Sequence, residues 1–234
     1  PRPAGRPGFI RIDSVHQGDL DGTKGVYHVN AVDIVTQWEV VATCERISEA
    51  YLLPVLQDLM AQFPFEILGF HSDNGSEYIN KTVASLLEKM RVEQTKSRSR
   101  HSNDNALAES KNGSVVRKAF GYSHIPQRFA AVINAFCREH LNPYVNLHRP
   151  SQFAREVVDA KGKVRKTYPQ ELIQTPLNKL ASLPDVNSFL RRDTTIEQLQ
   201  SKARAQTDLQ AATAMNVARL KLSDLFNRRS KTAA

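Results

Sequence analysis

Apolar and polar positions alternate with a period of two through three early stretches, 9–15, 26–34 and 37–44, each therefore expected to be a strand. The loop GDLDGTKG separates the first pair and a tight turn near Thr36-Gln37 the second, so the three read as an antiparallel meander. After Ser48, with Glu49 in the first turn, Leu52, Leu53, Leu56, Leu59 and Met60 fall on one helical stripe. A strand at 66–72 follows, then a helix at 79–90 bearing Val83, Leu86, Leu87 and Met90, a short strand at 92–95, and helices at 105–120 and 126–141. The pattern predicts an α/β fold whose five-stranded mixed sheet is flanked by helices. Trp38, inside the alternating QWEVVATC, is expected in its core, and the Pro/Gly-rich residues 1–7 as an extended arm.

Beyond Tyr144 the character changes. Residues 156–193 read as a basic linker with short helical pieces broken by Pro176 and Pro184, and Thr194 with Glu197 forms a capping box. A helix from there to about Leu225 meets no Gly or Pro and would span roughly 45 Å, with residues 194–234 forming a long helix and basic tail. Its apolar positions Ile196, Leu199, Leu209, Val217 and Leu220 are sparse, so it is expected to order on a partner subunit or along DNA.

Charge divides the chain. Residues 1–159 hold 18 basic and 18 acidic side chains, whereas residues 160–234 hold 14 and 6, so the whole excess of +8 lies in the last third. Such patches attract phosphate. Lys161, Lys163, Arg165 and Lys166 form a basic ribbon around Gly162, expected on DNA, with Arg191-Arg192 and Arg228-Arg229 as further clusters; the alternative is a set of solvated faces. Cys44 and Cys137 sit in apolar surroundings and read as reduced core residues, and the seven histidines lack zinc-ligand spacing. No apolar run approaches 18 residues, so no membrane span is expected. The chain begins at Pro1, as expected of a piece of a longer protein whose DNA-end-reading domain lies elsewhere.

The candidate chemistry rests on three carboxylates. Asp13 lies in the strand pattern GFIRIDSVH; Asp73 follows an apolar run and precedes the turn signal Asn74-Gly75; Glu109 follows the N-cap cluster Ser102-Asn103-Asp104-Asn105, early in a helix. Carboxylates from separate elements suit Mg²⁺ or Mn²⁺, hard cations that bind phosphate oxygens at the same time. Two such ions serve an in-line phosphoryl displacement. Singly, an aspartate beside a glycine is a turn former, and a glutamate near a helix start serves the dipole. Lys96, Arg98 and Arg100 alternate with serines in KSRSRHS, either gripping phosphates or forming a solvated run. Asp33 and Glu77 read more readily as structural residues, the second as a helix cap.

HSDNGSEY, SRHSNDNALAES and YVNLHRPS together resemble the catalytic core of retroviral integrases and bacterial insertion-sequence transposases of the Asp-Asp-Glu type, across residues 8–155. The resemblance implies a ribonuclease H-like fold with a basic, helical C-terminal extension. It makes Asp13, Asp73 and Glu109 the catalytic metal ligands, Asp13 bridging two Mg²⁺ or Mn²⁺ ions. It further implies transposon-end cleavage and strand transfer into target DNA, at least a dimer, and a nucleoid-associated place in a bacterial cytoplasm. Where retroviral integrases carry lysines one and two turns after the glutamate, this chain has Gly113 and Val116. Among Lys111, Asn112, Arg117 and Lys118, which stand nearby, Lys111, Asn112 and Arg117 are expected on DNA, the last two on the face of Glu109 and Lys111 about 200° around the helix from it. A ribonuclease H-like nuclease without strand transfer, or a non-catalytic DNA-binding relative, are the competing readings.

Overall fold

The computed structural model describes residues 3–72, 84–85, 87–88, 92–96, 106–160 and 162–230, apart from the side chains of residues 93, 94, 96 and 228–230. The three β-patterned stretches form β1 (Phe9–His16), β2 (Tyr27–Asp33) and β3 (Glu39–Cys44), followed by helix α1 (Glu49–Ala61), β4 (Gly69–Ser72) and β5 (Glu93–Lys96). Sheet order is β3-β2-β1-β4-β5. β1 pairs antiparallel with β2 and parallel with β4, β2 antiparallel with β3, and β4 parallel with β5, so β2 alone runs against the rest. The mixed α/β architecture expected from the sequence is the one observed.

Alternation along the strands sorts side chains to two faces. Ile10, Ile12, Val29, Ala31, Val40 and Ala42 pack with Leu52, Leu56 and Leu59 of α1, and Trp38 joins them. On the other face Val15 and Val41 meet two long helical runs, α2 (residues 106–120) and α3 (residues 130–147). Each run has a π-helical segment in its middle, Asn112–Val116 in α2 and Cys137–Leu141 in α3.

The outer edge of β3 is closed by α3. Asn134 accepts from Thr43 N–H at 2.7 Å and donates to its C=O at 2.8 Å. Asn142 does the same to Val41 at 3.0 and 3.1 Å, and Asn146 to Glu39 at 2.8 and 2.7 Å. Each amide thus stands in for one residue of a missing strand. Unpaired edge groups invite pairing with other chains. Asn134 and Asn142 are eight residues apart, where two ideal α-turns take about seven; the intervening π segment absorbs the extra residue and turns both toward the strand.

Both ends of the described chain depart from the sequence expectation. Residues 3–6 close a turn, Arg6 N–H reaching Pro3 O at 2.7 Å, rather than run as an extended arm. The stretch read as a linker contributes Leu177, Leu180, Leu183 and Leu190 to the core under α1. Pro176 opens helix α4 (Pro176–Ala181) instead of breaking one, because the first helical position needs no N–H donor. The single long helix is two, α5 (Ile196–Arg204) and α6 (Asp208–Ser230). The capping box is Thr195 with Gln198, one residue beyond the expected pair. A second reciprocal pair, Thr207 with Gln210 at 2.9 and 3.2 Å, restarts the chain as α6. Helix α6 packs on the α2–α3 side through Met215, Ala218, Leu222, Leu225 and Phe226. Among the described residues no helix is long and apolar enough to cross a membrane.

Candidate active site

Asp13 lies on the central strand, directly opposite Asn30 of β2, and on the face turned toward α2. Its Oδ1 accepts from Ser14 N–H at 2.8 Å and its Oδ2 from Asn112 Nδ2 at 2.7 Å. Asn112 Oδ1 in turn accepts from Asn30 Nδ2 at 3.0 Å. Glu109 sits three residues before Asn112 on α2, with its side chain exposed. Residues three apart share a helix face. The fold therefore brings Glu109 to within one helical turn of the side chain that holds Asp13. Asp73 and Glu77 lie outside the described residues.

Behind this pair is a buried polar cluster that the sequence reading missed. Glu39 is 1% exposed, with Lys111 and Asn30 as its polar neighbours. Burial pushes its carboxyl up to about 7, against the pull of Lys111 and Arg149. Lys111 Nζ stands 3.6 Å from Glu39 Oε2 and donates to Ser151 Oγ at 2.9 Å. Its own pKa is lowered by burial, with Glu39 opposing. The sequence carried no signal for it: alternation puts Glu39 on the face opposite Trp38 and Val40, which would be solvated if α2 did not close over it.

The expected DNA contacts are placed unequally. Lys111, 13% exposed, is turned inward onto Glu39. Asn112 serves Asp13. Arg117 donates to Gln17 Oε1 at 3.0 Å, Gly121 O at 3.2 Å and His16 O at 3.2 Å, and stacks over Tyr122 at 4.8 Å, joining the end of α2 to the end of β1. Lys163, Arg165 and Lys166 are exposed on a hairpin formed by residues 155–167. Arg98, Arg100, Lys161 and the side chain of Lys96 lie outside the described residues. Asp33 is structural: it accepts from Gly8 N–H, Val35 N–H, Thr36 N–H and Thr36 Oγ1 at 2.7–3.1 Å, closing the β2–β3 turn.

Among the described residues no three His, Cys, Asp or Glu side chains gather as a metal site. Asp13 and Glu109 are nevertheless hard oxygen donors, the kind that Mg²⁺ and Mn²⁺ take.

No family model matches the chain. It is 29% identical over 163 residues to the protein of Sinorhizobium fredii described as "Uncharacterized protein y4rM", covering 69% of this chain and 47% of that protein. The chain thus spans about half the length of that relative. Among solved structures, the HTLV-2 integrase catalytic core domain in complex with magnesium (trimeric form) is similar with a TM-score of 0.44 and 13% identity, over 68% of this chain and 94% of that one. The BIV integrase catalytic core domain is similar with a TM-score of 0.40 and 13% identity, over 49% and 70%. A simian T-cell lymphotropic virus intasome chain is similar with a TM-score of 0.43 and 18% identity, over 50% and 41%.

Proposed function

We propose that this chain carries the catalytic core of a metal-dependent polynucleotidyl transferase of the Asp-Asp-Glu class, cutting DNA at the ends of a mobile element and joining the freed 3′-hydroxyl to target DNA. The observation that carries the reading is the fastening of Asp13 to Asn112, three residues beyond Glu109. The strand order, with β2 alone reversed, supports a ribonuclease H-like core. Asp13, Asp73 and Glu109 would hold two Mg²⁺ or Mn²⁺ ions. When bound, the ions supply activation of the attacking hydroxyl and stabilisation of the leaving oxygen. Asn112 and the Ser14 N–H hold the Asp13 carboxylate in one orientation, donating to one oxygen each. DNA is the substrate, and pairing of two ends calls for at least a dimer, in a bacterial cytoplasm at the nucleoid.

The test supplies the chain with Mg²⁺ or Mn²⁺, a pre-cut end duplex and target DNA. Joined products that vanish in Asp13→Asn and Glu109→Gln are the expected result. Cleavage without joining would assign a nuclease, and activity that survives both substitutions would overturn the carboxylate assignment.

A further inference from the structure

Strands β6 (Ser151–Gln152), β7 (Arg155–Val158), β8 (Val164–Thr167) and β9 (Ile173–Gln174) form two small two-stranded sheets, β6 with β9 and β7 with β8. All eight residues of β7 and β8 are exposed. Among the described residues nothing covers the ribbon, although isolated two-stranded hairpins are marginal in water. Val158 is 65% exposed, Val164 54% and Tyr168 56%, so apolar surface is left open on both strands.

Its base, in contrast, is fixed. Lys111 donates to Ser151 of β6, and Gln37 Nε2 donates to Gln152 O at 2.7 Å. Lys111 is two residues beyond Glu109 but about 200° around the helix, so the base of the ribbon is anchored to the same helix as Glu109, on its inward side.

The geometry points to the ribbon β7–β8 as a reader of duplex DNA in the major groove, delivering the duplex to the carboxylates; this rests on the function proposed above. A two-stranded ribbon fits that groove. Pairing of Arg165 with Val157 and of Thr167 with Arg155 places two guanidiniums, a valine and a threonine methyl on one face. Guanidiniums bond guanine O6 and N7, and apolar groups contact the thymine methyl. Arg155 is paired with Glu171 at 3.1 Å and Arg165 with Asp159 at 3.1 Å, but both are surface pairs that open readily to a competing acceptor. Lys166 on the other face and Lys163 at the turn supply positive charge for the flanking phosphates. Glu156 stands opposite Lys166, yet residues 155–171 hold five basic and three acidic side chains, a net positive charge that favours a polyanion over a neutral protein partner.

The test measures binding of the whole chain to a mixed-sequence duplex of about 30 base pairs, and to its single strands, in chelator and at several salt concentrations. Metal is absent, so failure here is distinguishable from failure of the catalytic reading. Arg155→Ala with Arg165→Ala should weaken duplex binding tenfold or more at an unchanged melting temperature. Lys163→Ala with Lys166→Ala should flatten the slope of log affinity against log salt by about 1 for each phosphate that the lysines no longer neutralise. Val157→Ser should weaken binding to the thymine duplex and leave a uracil-substituted duplex unaffected. Wild-type affinity and slope in all variants would overturn the inference. So would a loss of self-association, by light scattering, in Val158→Ser with Val164→Ser while duplex affinity stays unchanged, since the ribbon would then be a protein interface.

Discussion

Asn112 donates its amide to Asp13 across 2.7 Å, so the helix bearing Glu109 and the strand bearing Asp13 are fastened at one side chain. The same amide is oriented from behind by Asn30, itself fully buried. Asn112→Leu removes both contacts and leaves the Asn30 amide without its acceptor. An unsatisfied buried group costs about 1–3 kcal/mol, which urea unfolding would register. Mn²⁺ affinity, followed by electron paramagnetic resonance, should fall with it. Unchanged metal affinity would leave Asn112 a purely structural residue.

Amide replacement of the carboxylates separates chemistry from folding. Asp13→Asn and Glu109→Gln keep shape while removing charge, and Asp73→Asn extends the series. Each is expected to lower DNA cleavage and joining by about a hundredfold or more, the scale on which loss of one electrostatic stabiliser is felt. Gel analysis of end-labelled duplex checks this, with DNA affinity in chelator as the control.

Two buried groups set an acid and a neutral limb of stability. His28 is buried against Phe120 and Thr43, and burial lowers its pKa from the ordinary 6.5 to about 3. The unfolded chain takes up that proton first, so this contribution is present above pH 6.5 and lost as pH falls toward 3. Glu39 is raised from 4.5 to about 7, so the folded chain holds its proton, and that contribution is present below 4.5 and lost as pH rises to 7. Between pH 4.5 and 6.5 the two slopes, about 1.4 kcal/mol per pH unit each, oppose one another. Stability from urea unfolding should therefore be nearly flat there and fall on both sides. Glu39→Gln should abolish the fall above pH 6.5, and a neutral limb that persists in that variant would exclude Glu39 as its source.

Truncation after Asp159 should unfold the protein rather than merely remove its positive charge. It deletes Leu177, Leu180, Leu183, Leu190, Ile196 and Leu199 from the core beneath α1. At about 1.5–3 kcal/mol for each buried side chain, the loss matches the whole stability of an ordinary domain. Circular dichroism of the truncated chain would show it; a cooperative melt near the wild-type temperature would mean that the core is complete without the C-terminal third.

The strands and the helix face of α1 were legible in the sequence because a two-residue or 3.6-residue apolar period survives without knowledge of partners. Asp13 and Glu109 were singled out through local motif, and the fold puts the first in hydrogen-bond contact with Asn112, three residues from the second. Asn30 and Glu39 were not: each is polar at a position whose burial depends on α2 closing over the sheet, a contact between residues far apart in the chain. The same holds for the C-terminal third, where leucines scattered between prolines gave no period, yet α4 and α5 fold back onto the end of α3 and add their leucines to the core that α1 shares. Thr207 ended the long helix because its hydroxyl and Gln210 offered a second start, a competition that a scan for Gly and Pro does not detect.

Asn142→Leu tests the closed edge. The substitution strips Val41 of partners for both N–H and C=O, and Gln62 of a 2.8 Å contact. A loss on the order of 3 kcal/mol is expected, together with faster aggregation on mild heating, read by light scattering. Loss of stability without aggregation would mean that the exposed edge is shielded in another way.

The π segment Cys137–Leu141 makes the length of α3 a quantity the protein counts. Deleting one residue between Asn134 and Asn142 would rotate one amide by about 100° relative to the other, so that only part of the row could meet β3. The exposed strands β7 and β8, which flank the loop at 159–163, show no such row of asparagine partners among the described residues. Descendants of this sequence should therefore vary freely in length at that loop while holding the spacing of three asparagines fixed, a signature readable in sequences alone.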